Sequence, residues 1–412
     1  MFDHKHYVPV LRWKKAEQEA MRRLFEHEKL QLTPLLEIPA RRPFPKKDAP
    51  PPKRPKVKGD WMVEIGASLV RSWGTLRPAF AEICPEVTDP DPLGGIAWHT
   101  EHLFTVARDR KVKLIPVVRL AFDPSRRNAI KRIVVQDQHG VCIRLSRSDL
   151  SRATLDHELS ELLQTLSVNP EQVDLVVDLH IVDDGGFDLL LICGQVPYLQ
   201  QWRTFTVVGG AFPSGLAKSP YGLNSFGRSE WRAWSEQVQR VLPRKPAYGD
   251  YTTVHPVPFD PNKHPTPCAN IRYTTELAWM VYKGLPLVAK DAKPTDPSRH
   301  EQYPAIAFLM EEHEFYAGDS FSFGDQYLHS MAEKCRGGDL SSPGTPTTWL
   351  TAAINHHLTY MVIQIDKLFV ASSSAERENA AVPGARPLQP AHVRPPSVSS
   401  RSPGLHRGTP AG

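Results

Sequence analysis

Glu37, Arg119, Arg144, Asp178 and Asp250 share one feature: each stands at or near the end of a short apolar run. Arg12 and Lys14 follow the first such run, His180 follows Asp178, and Arg272 with Tyr273 stand in the last. Runs such as Leu114-Ile115-Pro116-Val117-Val118 and Val173-Asp174-Leu175-Val176-Val177 read as strands buried on both faces. If such strands lie parallel in a closed ring, the polar groups at their C-terminal ends converge on one face. Three acids and several cations gathered there could hold a phosphate or carboxylate through arginine forks. An acid among them could act as a general base. The competing interpretation is a structural arginine–carboxylate network that does no chemistry, and the sequence leaves both open.

Other motifs are weaker. His99-Thr100-Glu101-His102 places two histidines at i and i+3, but a polar surface helix accounts for it more simply than a metal site. His356 and His357 are adjacent, so on a helix their side chains diverge by about 100° and do not share one ion. Asp183-Asp184-Gly185-Gly186 reads as a turn rather than a calcium loop, and Gly318-Asp319 and Gly324-Asp325 read as turn dipeptides. No GxGxxG, GxxxxGK[ST] or GxSxG motif occurs, so neither a cofactor nor a metal is assigned. Cys142 and Cys193 fall in apolar runs and are expected to be buried, inert thiols.

The elements that would position these groups are eight strand-like runs, at 7–11, 33–38, 114–120, 141–145, 173–179, 204–210, 248–252 and 269–274, with helical patterns between them. The stretch 155–166 carries leucines on one helical face, and 16–28 and 231–241 are amphipathic. Eight alternating units over about 280 residues predict a (β/α)8 TIM-like barrel, with an open parallel α/β sheet as the alternative. The segment 60–105 either hides a further strand near 79–84 or is a helical excursion. The expected organisation is a barrel over 1–283 and an irregular C-terminal extension over 284–370, with one good helix at about 347–369. The barrel carries a Pro/Lys-rich insert at 41–58, and a disordered Ser/Pro/Arg-rich tail occupies 371–412.

Composition sets outer limits. The 412 residues suffice for a large core, and 41% hydrophobic with 23% charged residues is ordinary for a globular chain. Proline is the outlier at 39 residues, nearly double the usual share of about 5%. The net charge of +5 is mild, and much of it lies in 41–58 and after 385, so nucleic-acid binding is unsupported. Five widely spaced cysteines without a CxxC pair argue against a disulfide framework or zinc ribbon and suit a reducing cytoplasm. The opening residues lack a signal-like apolar run, and patches such as 189–193 are far too short to span a bilayer, so a soluble cytoplasmic protein is expected.

The opening Tyr7-Val8-Pro9-Val10-Leu11-Arg12-Trp13-Lys14-Lys15-Ala16-Glu17, followed by Pro34-Leu35-Leu36-Glu37-Ile38, resembles the beta protein family, whose members share a pattern close to YxPxLKxKxxExxAL…PLxEI. Lys14, Glu17 and Glu37 match directly; Arg12 stands where a lysine is expected, keeping the charge and changing the geometry. Gly318-Asp319-Ser320-Phe321-Ser322-Phe323-Gly324-Asp325 and Asn355-His356-His357 resemble the family's glycine-aspartate and Asn-His-His segments. The resemblance covers about 1–370 in patches. It implies a setting rather than a reaction: genes on mobile elements, where such a protein is encoded beside a toxin-like partner and a small regulator in an anti-phage system. In that light Lys14 and Glu17, one helical turn apart, could pair near the barrel mouth.

Three readings follow. The first is a sensor or partner-binding component of a mobile-element anti-phage defence system, with a charged pocket at the barrel mouth that takes an anionic ligand or a protein encoded in the same operon. The second is a barrel enzyme on a phosphorylated or nucleotide substrate, using Asp178, Asp250 or Glu37 with Arg119 and Arg144. The third is a scaffold whose proline-rich insert and basic tail dock other proteins.

Overall fold

A computed structural model describes residues 2–39, 61–84, 95–258, 267–288 and 299–381, with side chains placed through residue 370. The segment 41–58, expected as an insert, and the part of the expected tail beyond 381 lie outside the described residues. Residues Met1–Ala371 form one compact unit, and a second begins at Ser372.

The short apolar runs become β1 (Tyr7–Arg12), β2 (Leu35–Ile38), β3 (Ala79–Ile83), β4 (Leu114–Val118), β5 (Val141–Ser146), β6 (Val173–Ile181), β7 (Thr204–Gly210), β8 (Gly222–Gly227), β9 (Ala247–Asp250), β10 (Cys268–Thr274) and β11 (Ala278–Pro286). Strands β1 to β7 and β9 close in that order into a parallel barrel, so the chain is a (β/α)8 barrel. Its seam runs Tyr7↔Tyr248, Val8↔Gly249 and Pro9↔Asp250. Only glycine fits at 249, because a Cβ there would sit 2.6 Å from the Val8 carbonyl oxygen.

Alternation along each strand sorts the side chains. Val8, Val10, Leu35, Val117, Val176 and Val208 help fill the lumen. The opposite parity faces the surrounding helices, among them Trp61–Ser72, Gly95–Asp109, Pro124–Asp137 and Leu155–Leu166, whose Leu159, Leu162 and Leu166 are buried. The helix Pro124–Asp137 starts where Asp123 accepts a 3.0 Å bond from the Arg126 amide, with proline in the first turn, and stops at Gln138 in the left-handed region (φ 53°). A cap of this kind contributes about 1 kcal/mol.

One open alternative is settled and one expectation about strands is corrected. The strand offered near 79–84 exists and is the third barrel strand, β3. The run 269–274 is not a barrel strand: β10 joins β11 and β8 in a separate antiparallel sheet of order β10-β11-β8. The burial patterns explain the difference. β3 is buried at every position, whereas β10 alternates buried with half-buried residues, as a strand with one solvated face does.

The helices Gln302–Glu311 and Phe323–Arg336 cover one face of that sheet through Ile271, Tyr273, Tyr303, Met310 and Leu328. The last helix, Pro346–Ala381, extends past the expected end of structure at 370. It crosses Phe323–Arg336 so closely that a Cβ on Gly324 would lie 2.2 Å from the Ala352 carbonyl oxygen. Gly324-Asp325 therefore lies in the first turn of a helix rather than in a free turn. Among the described residues no helix is long and apolar enough to cross a membrane.

Candidate functional site

Arg144 stands at the centre of the C-terminal mouth. It projects inward from β5 two residues after the lumen residue Cys142, and its side chain is 2% exposed. Its Nε and Nη2 donate to Asp178 Oδ2 on β6 at 2.9 and 2.7 Å. Nη1 donates to Glu37 on β2 at 3.0 Å and to Glu82 on β3 at 3.2 Å. Nη2 also reaches the Tyr251 hydroxyl at 2.8 Å, and that hydroxyl donates to Asp178 at 2.7 Å. Glu82 accepts a two-pronged fork from Arg119 at 2.8 and 2.9 Å, with Arg126 4.0 Å away. Arg12 lies 3.7 Å from Glu37 and donates to the carbonyls of His255 (3.0 Å) and Pro256.

The mouth therefore holds four guanidinium groups (Arg12, Arg119, Arg126, Arg144) against three carboxylates (Glu37, Glu82, Asp178), one positive charge in excess. Burial alone would raise the carboxyls of Glu82 and Asp178. The guanidiniums of Arg119 and Arg144 outweigh it at Glu82, as do Arg144 and the Tyr251 hydroxyl at Asp178, so both are held below the usual carboxylate range. Burial, then the Asp178 charge, pushes the Tyr251 hydroxyl far up, and burial lowers Arg126 to about 10. Glu82 and Asp178 are thus held ionised, and each of the three carboxylates faces a cation, which suits a charge clamp better than a proton-transferring pair.

Two strand ends at this mouth are strained in the same way. His180 (φ 60°) and Thr252 (φ 56°) lie in the left-handed region, each with its amide bonded at 2.9 Å to the aspartate two residues earlier, Asp178 and Asp250. Each costs about 1–2 kcal/mol for a residue with a Cβ. His180 is exposed, with its ring edge-on to Tyr251 at 6.0 Å. Arg119 is 30% exposed, and its Nη1 has no partner among the described residues. This outer rim can take an anion while the inner clamp stays closed.

Of the residues singled out in the sequence, Glu37, Arg119, Arg144 and Asp178 come together here. Four others do not. Lys14 is an exposed residue at the start of the helix Lys15–Arg22, and Glu17 is buried with its carboxyl toward the Lys14 amide and pushed up by burial. No ion pair joins Lys14 to Glu17 among the described residues. Asp250 points out of the barrel, since parity turns the following residue, Tyr251, inward. Tyr273 lies on the separate sheet, where its hydroxyl donates to Asp325 at 2.5 Å. Glu82 was missed because its strand was left doubtful, and Tyr251 because Asp250 beside it was the more conspicuous polar residue.

Asp250 anchors a second cluster, between the barrel wall and the last helix. It accepts from Tyr7 (2.5 Å), Tyr248 (3.1 Å) and His357 Nε2 (2.9 Å), while Thr274 bonds His357 Nδ1 at 2.8 Å. Burial lowers the His357 pKa from its ordinary value, against the pull of Asp250. Burial opposes ionisation of Asp250, but His357, Tyr7 and Arg228 outweigh it and hold its carboxyl low. His356 bridges Asp325 (2.8 Å) and the Thr274 carbonyl (2.9 Å), and Asp325 also accepts from Ser322 at 2.5 Å. Asn355 takes the Gly324 amide at 3.0 Å and donates to the Ala20 carbonyl at 3.1 Å. The three consecutive residues Asn355-His356-His357 thus tie together the N-terminal helix, the small sheet, the helix Phe323–Arg336 and β9.

Asn355→Ala is expected to reduce stability by about 2 kcal/mol, because it leaves the buried Gly324 amide unpartnered and takes from the Ala20 carbonyl one of its two donors, the Arg23 amide remaining. Amide exchange at Gly324 should quicken with it; unchanged exchange there would contradict the link. Among the described residues no cluster of three or more His, Cys, Asp or Glu could hold a metal ion.

A family model described as Beta protein matches residues 7–363. No curated protein matches the chain.

Proposed function

Because the chain belongs to the beta protein family, we propose that it is a recognition component of a mobile-element anti-phage system, binding an anionic group of a ligand or operon-encoded partner at the rim of the barrel mouth. The observation that carries this reading is the division of labour at the mouth. Arg144 engages Glu37, Glu82, Asp178 and Tyr251 in a buried clamp, and Arg119 stands at its outer edge with donors to spare. A clamp with all its carboxylates neutralised supports binding through a preorganised surface, since little ordering remains to oppose association. The three clamp carboxylates each face a guanidinium, which favours binding over their use as a general base.

A phage-challenge assay tests the reading. Arg119→Ala should lose protection by at least about tenfold, the change expected when a charge-assisted contact worth about 1.4 kcal/mol is removed. Its stability should change by less than about 1 kcal/mol, because the fork is partly solvent-screened and Glu82 keeps Arg144. Full protection by a folded Arg119→Ala protein would remove the rim from the mechanism. If deletion of 382–412 abolished protection instead, the scaffold reading would take its place.

A further inference from the structure

At the opposite end of the barrel, the residues that precede or open the strands enclose a second space. Thr33, Pro78, Lys113, His139, Arg203 and Thr204 surround a cavity of about 340 Å³. That is on the order of ten water volumes and lies in the range of small-ligand sites. Its inner wall is apolar: Phe80 and Ile115, with the Phe2 ring 6.5 Å from that of Phe80. The lumen layer that includes Val10, Val117, Cys142 and Val176 packs above it and separates it from the mouth.

The charges in this wall are unequally matched. Asp174 accepts from Arg203 at 3.1 and 2.6 Å and from Thr204 at 2.8 Å, so that aspartate and arginine cancel. Lys113 has no carboxylate partner among the described residues; its Nζ makes one long bond, 3.3 Å, to the Leu76 carbonyl. A ligand suited to this space has a flat apolar body for Phe80 and Ile115 and one negative charge for the ammonium. A dianion would leave a charge uncompensated beside Asp174.

We propose that this cavity binds a small aromatic monocarboxylate, its ring against Phe80 and Ile115 and its carboxylate at Lys113. The site is independent of the mouth and of the role assigned to it.

Titration of the full chain with indole-3-carboxylate, followed by calorimetry, tests this. A Kd of about 1 mM or tighter is expected for a ligand of that size. Indole-3-carboxamide, and the carboxylate against Lys113→Met, should each bind at least about tenfold more weakly. Ile115→Trp should abolish binding by filling the space. Lys113→Met changes an exposed residue and keeps the test decisive even where Ile115→Trp does not fold. The proposal is overturned if the acid gives no saturable binding up to about 10 mM, if the carboxamide binds equally well, or if Lys113→Met leaves the affinity unchanged.

Discussion

Arg144→Met is expected to lower the free energy of unfolding by about 3–5 kcal/mol, the usual cost of removing one member of a buried ion cluster. Methionine fills much of the volume but returns none of the donors. Glu82 keeps Arg119, and Glu37 keeps Arg12 at 3.7 Å, so Asp178 suffers most: it retains only the Tyr251 hydroxyl and the His180 amide. Its carboxyl, now held low chiefly by Arg144 against burial, should rise, and the loss of stability should shrink as pH falls and Asp178 protonates. The double variant Arg144→Met/Asp178→Leu should recover part of the loss, because an apolar pair no longer leaves a charge buried alone. Urea unfolding of the three proteins checks this. A single-variant loss under about 1 kcal/mol would mean that the mouth is solvated and the clamp is not preformed.

The second large effect is a gain. Glu230, in the first turn of the helix Ser229–Val238, is fully buried, with Tyr248 3.3 Å from Oε1 and no partner for Oε2. Arg228 comes only to 4.0 Å without a hydrogen bond, so the two are not a closed ion pair. Burial pushes the carboxyl from 4.5 to about 8 against the pull of Arg228, and the Asp250 charge adds to the rise. Below pH 4.5 the group is protonated whether the chain is folded or not. As pH rises the unfolded chain ionises first, so stability falls from there to about 8 and then levels. At about 1.4 kcal/mol per pH unit the ceiling is about 5 kcal/mol. Glu230→Gln keeps the shape and removes the titration. Its stability should match the parent's near pH 4.5 and exceed it by several kcal/mol near pH 8. His6 and His357, whose pKa values burial lowers, impose the opposite slope below their ordinary 6.5; both proteins share it and it cancels in the difference. A difference that stays flat across this interval would mean that Glu230 ionises normally beside Arg228.

The parallel part of the fold was legible because its strands are buried on both faces. Leu114–Val118 is apolar throughout, and six of the nine residues of Val173–Ile181 are β-branched or long aliphatic. Ala79–Ile83 was harder, with two alanines and a glutamate in five residues, and Glu82 was lost with it. The alternation in β10 and β11 was the available sign that they form an antiparallel sheet with one partly solvated face. At the mouth, period-two parity counted from the lumen residues places Glu37, Arg144 and Asp178 inside; the same count assigns Tyr251 rather than Asp250. The clusters around Asp250 and Asp325 join residues far apart in sequence, and no local pattern encodes those meetings.

The Asn355-His356-His357 tie also bears on how the chain is made. Asp250 meets His357 across 107 residues, and Ala20 meets Asn355 across 335. At ribosomal speeds of about 5–20 residues per second, His357 is added about 5–20 s after Asp250. Through that interval the newborn barrel carries a carboxylate destined for burial on an uncovered flank. A message truncated there would release a product with that flank permanently bare, a ready target for chaperones and proteases.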